Sequence, residues 1–267
     1  MPEAPSHGSV LLLHGGGQRR HSWRHTGERL ARAGWSAYAF DARGHGDSGW
    51  APDGDYSIAA LVGDARAIIA EIGEKPVMVG ASMGGMTSLM GEGENGGMAR
   101  ALVLVDIVAR LEPKGIENIQ SFMAGAPNGF ASLQEASDAI AAYNPHRPRP
   151  KNLEGLRKNL RQHDDGRWYW HWDPDFLRID NEPEREVRYR RAKAAARRIT
   201  VPTLLIRGGG SDIVSEEGLQ EMRALIPHAE ATEVPATGHM IAGDDNDVFT
   251  ARLTEFLERL PPVRHAG

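Results

Sequence analysis

The sequence predicts an α/β protein: a mainly parallel sheet with helices on both faces. Two observations carry this. Short apolar runs typical of buried strands recur at Val10-Leu11-Leu12-Leu13, Val77-Met78-Val79, Ala101-Leu102-Val103-Leu104-Val105 and Thr203-Leu204-Leu205-Ile206. Between most of them lie amphipathic helical patterns, and strands that alternate with helices need crossover connections, which run parallel. A third observation gives the sheet a working edge. Gly15-Gly16-Gly17, Ser82, Asp106, Asp212 and His239 all follow directly on predicted strands, and in open α/β sheets functional loops gather at the strands' carboxyl ends.

Composition narrows the possibilities. A chain of 267 residues with 40% hydrophobic content buries a full core, as one large domain or a domain with an insertion. The formal charge of −5 does not favour nucleic acid as a partner. There is no cysteine, so disulfides, thiolate nucleophiles and cysteine metal sites are excluded. The apolar run at 10–13 is too short for a membrane span or a signal-peptide core. A soluble cytoplasmic protein that acts on a small molecule, without membrane or nucleic acid, is the expectation. Nothing in the sequence specifies an oligomeric state.

In chain order, the first strand ends at His14-Gly15-Gly16-Gly17-Gln18, where consecutive glycines either make a flexible turn or aim backbone N–H groups at a ligand. Residues 23–33 have helical spacing, with Gly34 as the stop. Residues 35–40 read as a second strand. It closes at Asp41-Ala42-Arg43-Gly44-His45-Gly46-Asp47-Ser48, a polar loop expected to be structural. Ser57 is the expected N-cap of a helix with an apolar stripe at Ile58, Leu61, Val62, Ala65, Ile68, Ile69 and Ile72.

Next comes Val77-Met78-Val79-Gly80-Ala81-Ser82-Met83-Gly84-Gly85-Met86. A strand that becomes a helix within so few residues leaves Ser82 on a strained corner. Glycines two residues either side remove side chains where the two backbones approach. The corner exposes the Ser82 hydroxyl, and amides at the helix start can receive negative charge. The strand at 101–105 follows, ending in Asp106.

Residues 107–200 change character. They show no clear strand, several helical patterns, proline-rich breaks and a net positive charge, whereas the remainder is net negative. That shift predicts an insertion at 107–200 in a core made of 1–106 and 201–267. Ser132-Leu133-Gln134-Glu135 reads as a capping box, and 182–198 reads as an exposed helix. Trp168, Trp170 and Trp172 crowd one short stretch, Trp168-Tyr169-Trp170-His171-Trp172. They are expected either to glue the insertion to the core or, with Phe122, to form an apolar substrate-binding roof over the serine. After the strand at 201–208 come Gly209-Gly210-Ser211-Asp212 and a helix bearing Leu219, Met222 and Leu225. A last strand at 229–234 leads to Gly238-His239, and a closing amphipathic helix carries Phe249, Leu253 and Phe256.

These pieces, taken in order, resemble the α/β-hydrolase superfamily over nearly the whole chain. The matching segments are His14-Gly15-Gly16, Asp41-x-Arg43-Gly44-x-Gly46-x-Ser48, Gly80-x-Ser82-x-Gly84-Gly85, Gly208 through Asp212, and Gly238-His239. The resemblance implies that Ser82 is the nucleophile, His239 the general base and Asp212 the acid that orients it. It places the oxyanion against the N–H of Met83 and one from the glycine loop, Gly16 first and Gly17 next. It also makes 107–200 the cap. Asp106, which ends its own strand, is the alternative acid. The family usually has two more strands before the one ending in His14-Gly15, and few residues precede Val10 here. Either 35–40 forms a sheet edge or the reading frame starts late.

A serine at this position disfavours the dehalogenase and epoxide hydrolase branches, which carry aspartate there. Acyl transfer on esters, lactones or thioesters remains, with apolar or aromatic esters expected from the tryptophans. Carbon–carbon bond hydrolysis, perhydrolysis and a slow-turnover receptor are the alternatives. No cofactor is expected. His21 and His25, or Asp244, Asp245 and Asp247, complete no metal-site pattern, and the phosphate-loop and dinucleotide signatures are absent.

Overall fold

In the computed structural model, residues 7–144, 152–177, 182–235 and 247–261 are described. Strand β1 (Ser9–Leu13) leads through a short 3-10 turn (Arg20–Trp23) into α1 (Arg24–Arg32), then β2 (Ser36–Ala39), α2 (Ile58–Ile72), β3 (Val77–Ala81), α3 (Met83–Asn95) and β4 (Ala101–Val105). The next part of the chain holds α4 (Pro113–Ala124), α5 (Leu133–Tyr143), a hairpin of β5 (Leu160–Gln162) and β6 (Trp168–Trp170), and α6 (Glu182–Ala196). It closes with β7 (Thr203–Gly208), α7 (Glu216–Leu225), β8 (Glu230–Val234) and α8 (Asp247–Glu258).

Six strands form one sheet in the order β2-β1-β3-β4-β7-β8, and every pairing is parallel. Strand β2 forms one edge. Alternation along the strands sorts the core into two layers. Val10, Leu12, Val77, Val79 and Val103 face α1 and α8, where they meet Trp23, Leu30, Phe249 and Leu253. Leu11, Leu13, Met78, Leu102 and Leu104 face the opposite way, onto α2, α3, α6 and α7. Each such leucine or valine removed from water contributes about 1.5–3 kcal/mol, so a one-residue slip of any central strand would move its apolar side chains to the wrong layer.

Helix boundaries follow local chemistry. The Ser57 hydroxyl accepts from the Ala60 N–H (3.2 Å) to cap α2, and Gly73 ends that helix at φ 78°. Ser132 caps α5 in the same way through the Glu135 N–H (3.1 Å). The buried Glu92 carboxylate accepts from the N–H groups of Gly97, Met98 and Ala99, which ties the end of α3 to the turn into β4.

The expected insertion at 107–200 needs two corrections. It contains a strand pair, β5–β6, whose small cluster of Phe130, Ala136, Leu160 and Trp168 forms a separate apolar nucleus. Its last helix, α6, is also not exposed throughout. Arginines and glutamates on that helix suggest an exposed element, but Ala192, Ala195 and Ala196 are fully buried against the core layer of α3. A Cβ on Gly93 of α3 would lie 2.4 Å from the Ala195 carbonyl oxygen, so the two helices pack almost backbone to backbone.

Candidate active site

At the carboxyl edge of β3 the chain turns through Ser82 with φ 47° and ψ −113°, between strand and helix. The corner is enforced by its neighbours. A Cβ on Gly80 would sit 2.3 Å from the Gly84 carbonyl oxygen, and one on Gly84 would sit 2.3 Å from that of Leu13. Neither backbone group can move without disrupting α3 or β1, so only glycine fits. The Ser82 N–H donates to the Val105 carbonyl (3.1 Å), and the Gly84 N–H to that of His14 (3.1 Å). Met83 is the first residue of α3, so its N–H has no preceding carbonyl within the helix.

Among the described residues only one other non-glycine residue has positive φ, Asp106 at 49°. Such strain persists only where surrounding structure over-determines it, and it collects at functional sites. Asp106 stands beside the serine corner, because Ala81 and Val105 are register partners on β3 and β4. It is buried, and both carboxylate oxygens are engaged: Oδ1 accepts from the Gly208 N–H (3.0 Å) and Oδ2 from the Ser211 hydroxyl (2.7 Å). Ser211 in turn accepts from the N–H groups of Ile213 and Val214. The sequence offered no signal for Ser211 beyond its place next to Asp212.

Asp212, ranked first from the sequence, is exposed on the same loop. Its negative charge adds to burial in raising the pKa of the Tyr143 phenol. The structure therefore does not bury the Asp212 carboxylate beneath the serine. His239, with Asp244 and Asp245, falls outside the described residues. Asp247 begins α8 and pairs with Arg29, and no group of three potential metal ligands occurs among the described residues.

The glycine loop lies against the serine: a Cβ on Gly15 would stand 3.4 Å from the Ser82 Cβ. Its amides are not equivalent. The Gly15 N–H donates to Gln18 Oε1 (2.9 Å), and the Gly17 N–H donates to His45 Nε2 (3.0 Å). The expectation that Gly17 is an oxyanion donor is therefore corrected, since its N–H is spent on an imidazole. Among the described residues no acceptor takes the Gly16 N–H. Three buried histidines surround the loop. Burial is the leading cause that lowers each pKa: His14 falls below its usual value, and His45 and His171 fall to about 3, so all three are neutral at pH 7.

Above Ser82 lies a cavity of about 1130 Å³, with the glycine loop in its floor and Phe122, Tyr143, Trp170 and Trp172 in its walls. Trp170 and Trp172 stack at 4.7 Å between centroids, and Phe122 stacks on Tyr143 at 4.2 Å. Of the aromatic residues expected at the site, Trp168 is corrected. It packs with Phe130, Ala136 and Leu160, beneath the Arg157 guanidinium, and does not line the cavity. Phe176, not foreseen from the sequence, covers Gly16, where an added Cβ would meet its ring at 3.2 Å.

The fold has a counterpart among known proteins: the family model described as alpha/beta hydrolase fold matches residues 8–245. The chain belongs to that family. It is similar to the esterase Rv0045c of Mycobacterium tuberculosis, with 27% identity over 88% of this chain and 78% of that protein. It is also similar to the 3-hydroxybutyrate-oligomer hydrolase of Cupriavidus necator, with 30% identity over 74% of this chain and 71% of the other. Among solved structures, an alpha/beta hydrolase from Novosphingobium aromaticivorans superposes with a TM-score of 0.76 at 25% identity, covering 95% of this chain and 90% of that one. With such relatives the protein is a hydrolase of the alpha/beta fold. No helix among the described residues is long and apolar enough to cross a membrane.

Proposed function

We propose that the protein is a cytoplasmic, cofactor-independent serine hydrolase that cleaves a small apolar or aromatic carboxylic ester or lactone. The observation that carries this reading is the Ser82 corner, held at φ 47° with the glycine loop against its side. In the proposed reaction the Ser82 hydroxyl attacks the ester carbonyl while His239 accepts its proton. The tetrahedral oxyanion is received by the N–H groups of Met83 and Gly16. Collapse expels the alcohol, protonated by His239, and leaves an acyl-enzyme that water then hydrolyses by the same steps. The acid that orients His239 is assigned to Asp106 ahead of Asp212. Burial, a strained backbone and two donors that fix its carboxylate are what such a residue needs, and the exposed Asp212 has less of each.

The aromatic cavity supports an apolar acyl or aryl group, because rings in the wall gain from burying flat apolar surface. The esterase relative supports the ester class. Turnover of p-nitrophenyl butyrate by the purified chain tests the reading. Ser82→Ala is expected to lose on the order of 10⁴- to 10⁶-fold in kcat without a change in melting temperature. Equal rates in the two proteins would remove the serine from the chemistry.

A further inference from the structure

The polar loop between β2 and α2, which the sequence assigned to turn stability, reaches the reaction centre through its histidine. His45 Nε2 accepts the Gly17 N–H (3.0 Å), while its Nδ1 lies 3.0 Å from the Arg43 carbonyl. An N–H donor at one ring nitrogen and a carbonyl at the other leave a single consistent tautomer, with the proton on Nδ1. His171, on the turn after β6, meets the next peptide of the same residue. Its Nδ1 accepts the Gly46 N–H (2.9 Å), and its Nε2 faces the Gly17 carbonyl at 3.3 Å and donates to it. Gly17 is thus gripped at its N–H by a core histidine and at its C=O by a histidine of the insertion.

The consequence falls on Gly16. The Gly16 N–H shares a peptide with the Gly15 carbonyl, which lies against the Gln18 N–H (3.0 Å) and His14 Nδ1 (2.8 Å), and the far side of Gly16 is fixed by the histidines that hold the peptides before and after Gly17. His171 also adjoins Trp172, whose ring lies 3.4 Å from a Cβ built on Gly17 and forms part of the cavity wall. The inserted segment is latched to the same polar loop by the Asp173 N–H to the Gly44 carbonyl (2.8 Å) and by Arg161 to Asp47 (2.8 Å). We propose that His45 and His171 are positioning residues of the oxyanion hole, and that His171 makes the hole's geometry depend on the seating of the inserted segment.

This inference rests on the acyl-transfer reading, and one experiment separates the two. The full-length chain and its His45→Leu, His45→Gln, His171→Leu, His171→Gln and His171→Asn variants are assayed on p-nitrophenyl butyrate. They are also titrated with an alkyl trifluoromethyl ketone, whose serine adduct carries the oxyanion. Each leucine variant is expected to lose about 10- to 100-fold in kcat, with KM within about threefold and ketone affinity falling in parallel with kcat. Glutamine places an amide group where Nε2 stood. It can accept from Gly17 at position 45 and donate to Gly17 at position 171, so both glutamine variants are expected to recover most of the loss. His171→Asn keeps an acceptor for Gly46 but falls short of Gly17, and should stay below His171→Gln. That pair decides the matter if a leucine variant does not fold.

Leucine variants within about twofold of wild type overturn the proposal. So does a kcat loss without a parallel loss of ketone affinity, or equal behaviour of His171→Asn and His171→Gln. An active Ser82→Ala instead overturns the acyl-transfer reading on which the proposal rests.

Discussion

Two turns frame the reaction centre, and they are built in opposite ways. The serine corner after β3 is fixed by backbone crowding. Gly80 and Gly84 approach carbonyl groups so closely that no other residue fits, and main-chain hydrogen bonds to Val105 and His14 complete it. The glycine loop after β1 has more room and is fixed from outside, by side chains of Gln18, His45 and His171 that arrive from three places in the chain. The first turn carries the proposed nucleophile, and its glycines stand within a few consecutive residues. The second carries the proposed oxyanion donor and is written into tertiary contacts.

The comparison can be broken or sharpened by substitution. Among the described residues, the largest kinetic effect beyond the serine itself is expected at Asp106, which stands beside the corner. Asp106→Asn should lower kcat by about 10²- to 10⁴-fold, while the exposed Asp212→Asn should stay within about threefold. Steady-state kinetics that gave the reverse ranking would return the acid role to Asp212. A stability contrast follows between the two turns. Gly84→Ala, whose Cβ would strike the Leu13 carbonyl at 2.3 Å, should cost at least about 4 kcal/mol or abolish folding. Gly15→Ala, whose nearest neighbour is the end of the Gln18 side chain at 3.1 Å, should cost no more than about 1–2 kcal/mol in urea unfolding. Similar losses in both would show that the glycine loop is as rigidly walled as the corner.

A smaller effect concerns acid. His45 and His171 have folded pKa values near 3, below the ordinary 6.5 that they regain on unfolding. The unfolded chain therefore binds protons that the folded chain refuses as pH falls below about 6.5. Their contribution is intact above that pH and is lost progressively between 6.5 and 3. Melting temperature followed by circular dichroism should fall over this window, and His45→Gln should flatten the decline. An unchanged profile in that variant would mean that His45 is not held neutral by the fold.

How much of this was legible in the sequence depended on how far apart the deciding residues lie. Gly80-x-Ser82-x-Gly84 announced its corner because one of the clashes it avoids, that of Gly80 on Gly84, is between near neighbours. The parallel sheet was legible from apolar runs separated by helices. The preference for Asp106 over Asp212 was not, because both follow strands and only burial, backbone strain and bound donors distinguish them. Helix α6 misled because its arginines and glutamates outnumber the three alanines that pack on α3. Strands β5 and β6 are three residues each, too short for a period-2 pattern to register. His45 and His171 were hidden inside a polar loop and an aromatic run, since a hydrogen bond across 28 residues or 154 leaves no trace in local spacing.

The central claim is that the Ser82 hydroxyl is the nucleophile and that an imidazole activates it. Labelling with a fluorophosphonate, followed by mass spectrometry of the digested chain, tests it most directly. A single adduct on Ser82, formed far more slowly in His239→Ala, is the predicted result. An adduct elsewhere, or a Ser82 labelling rate indifferent to the loss of His239, would contradict it.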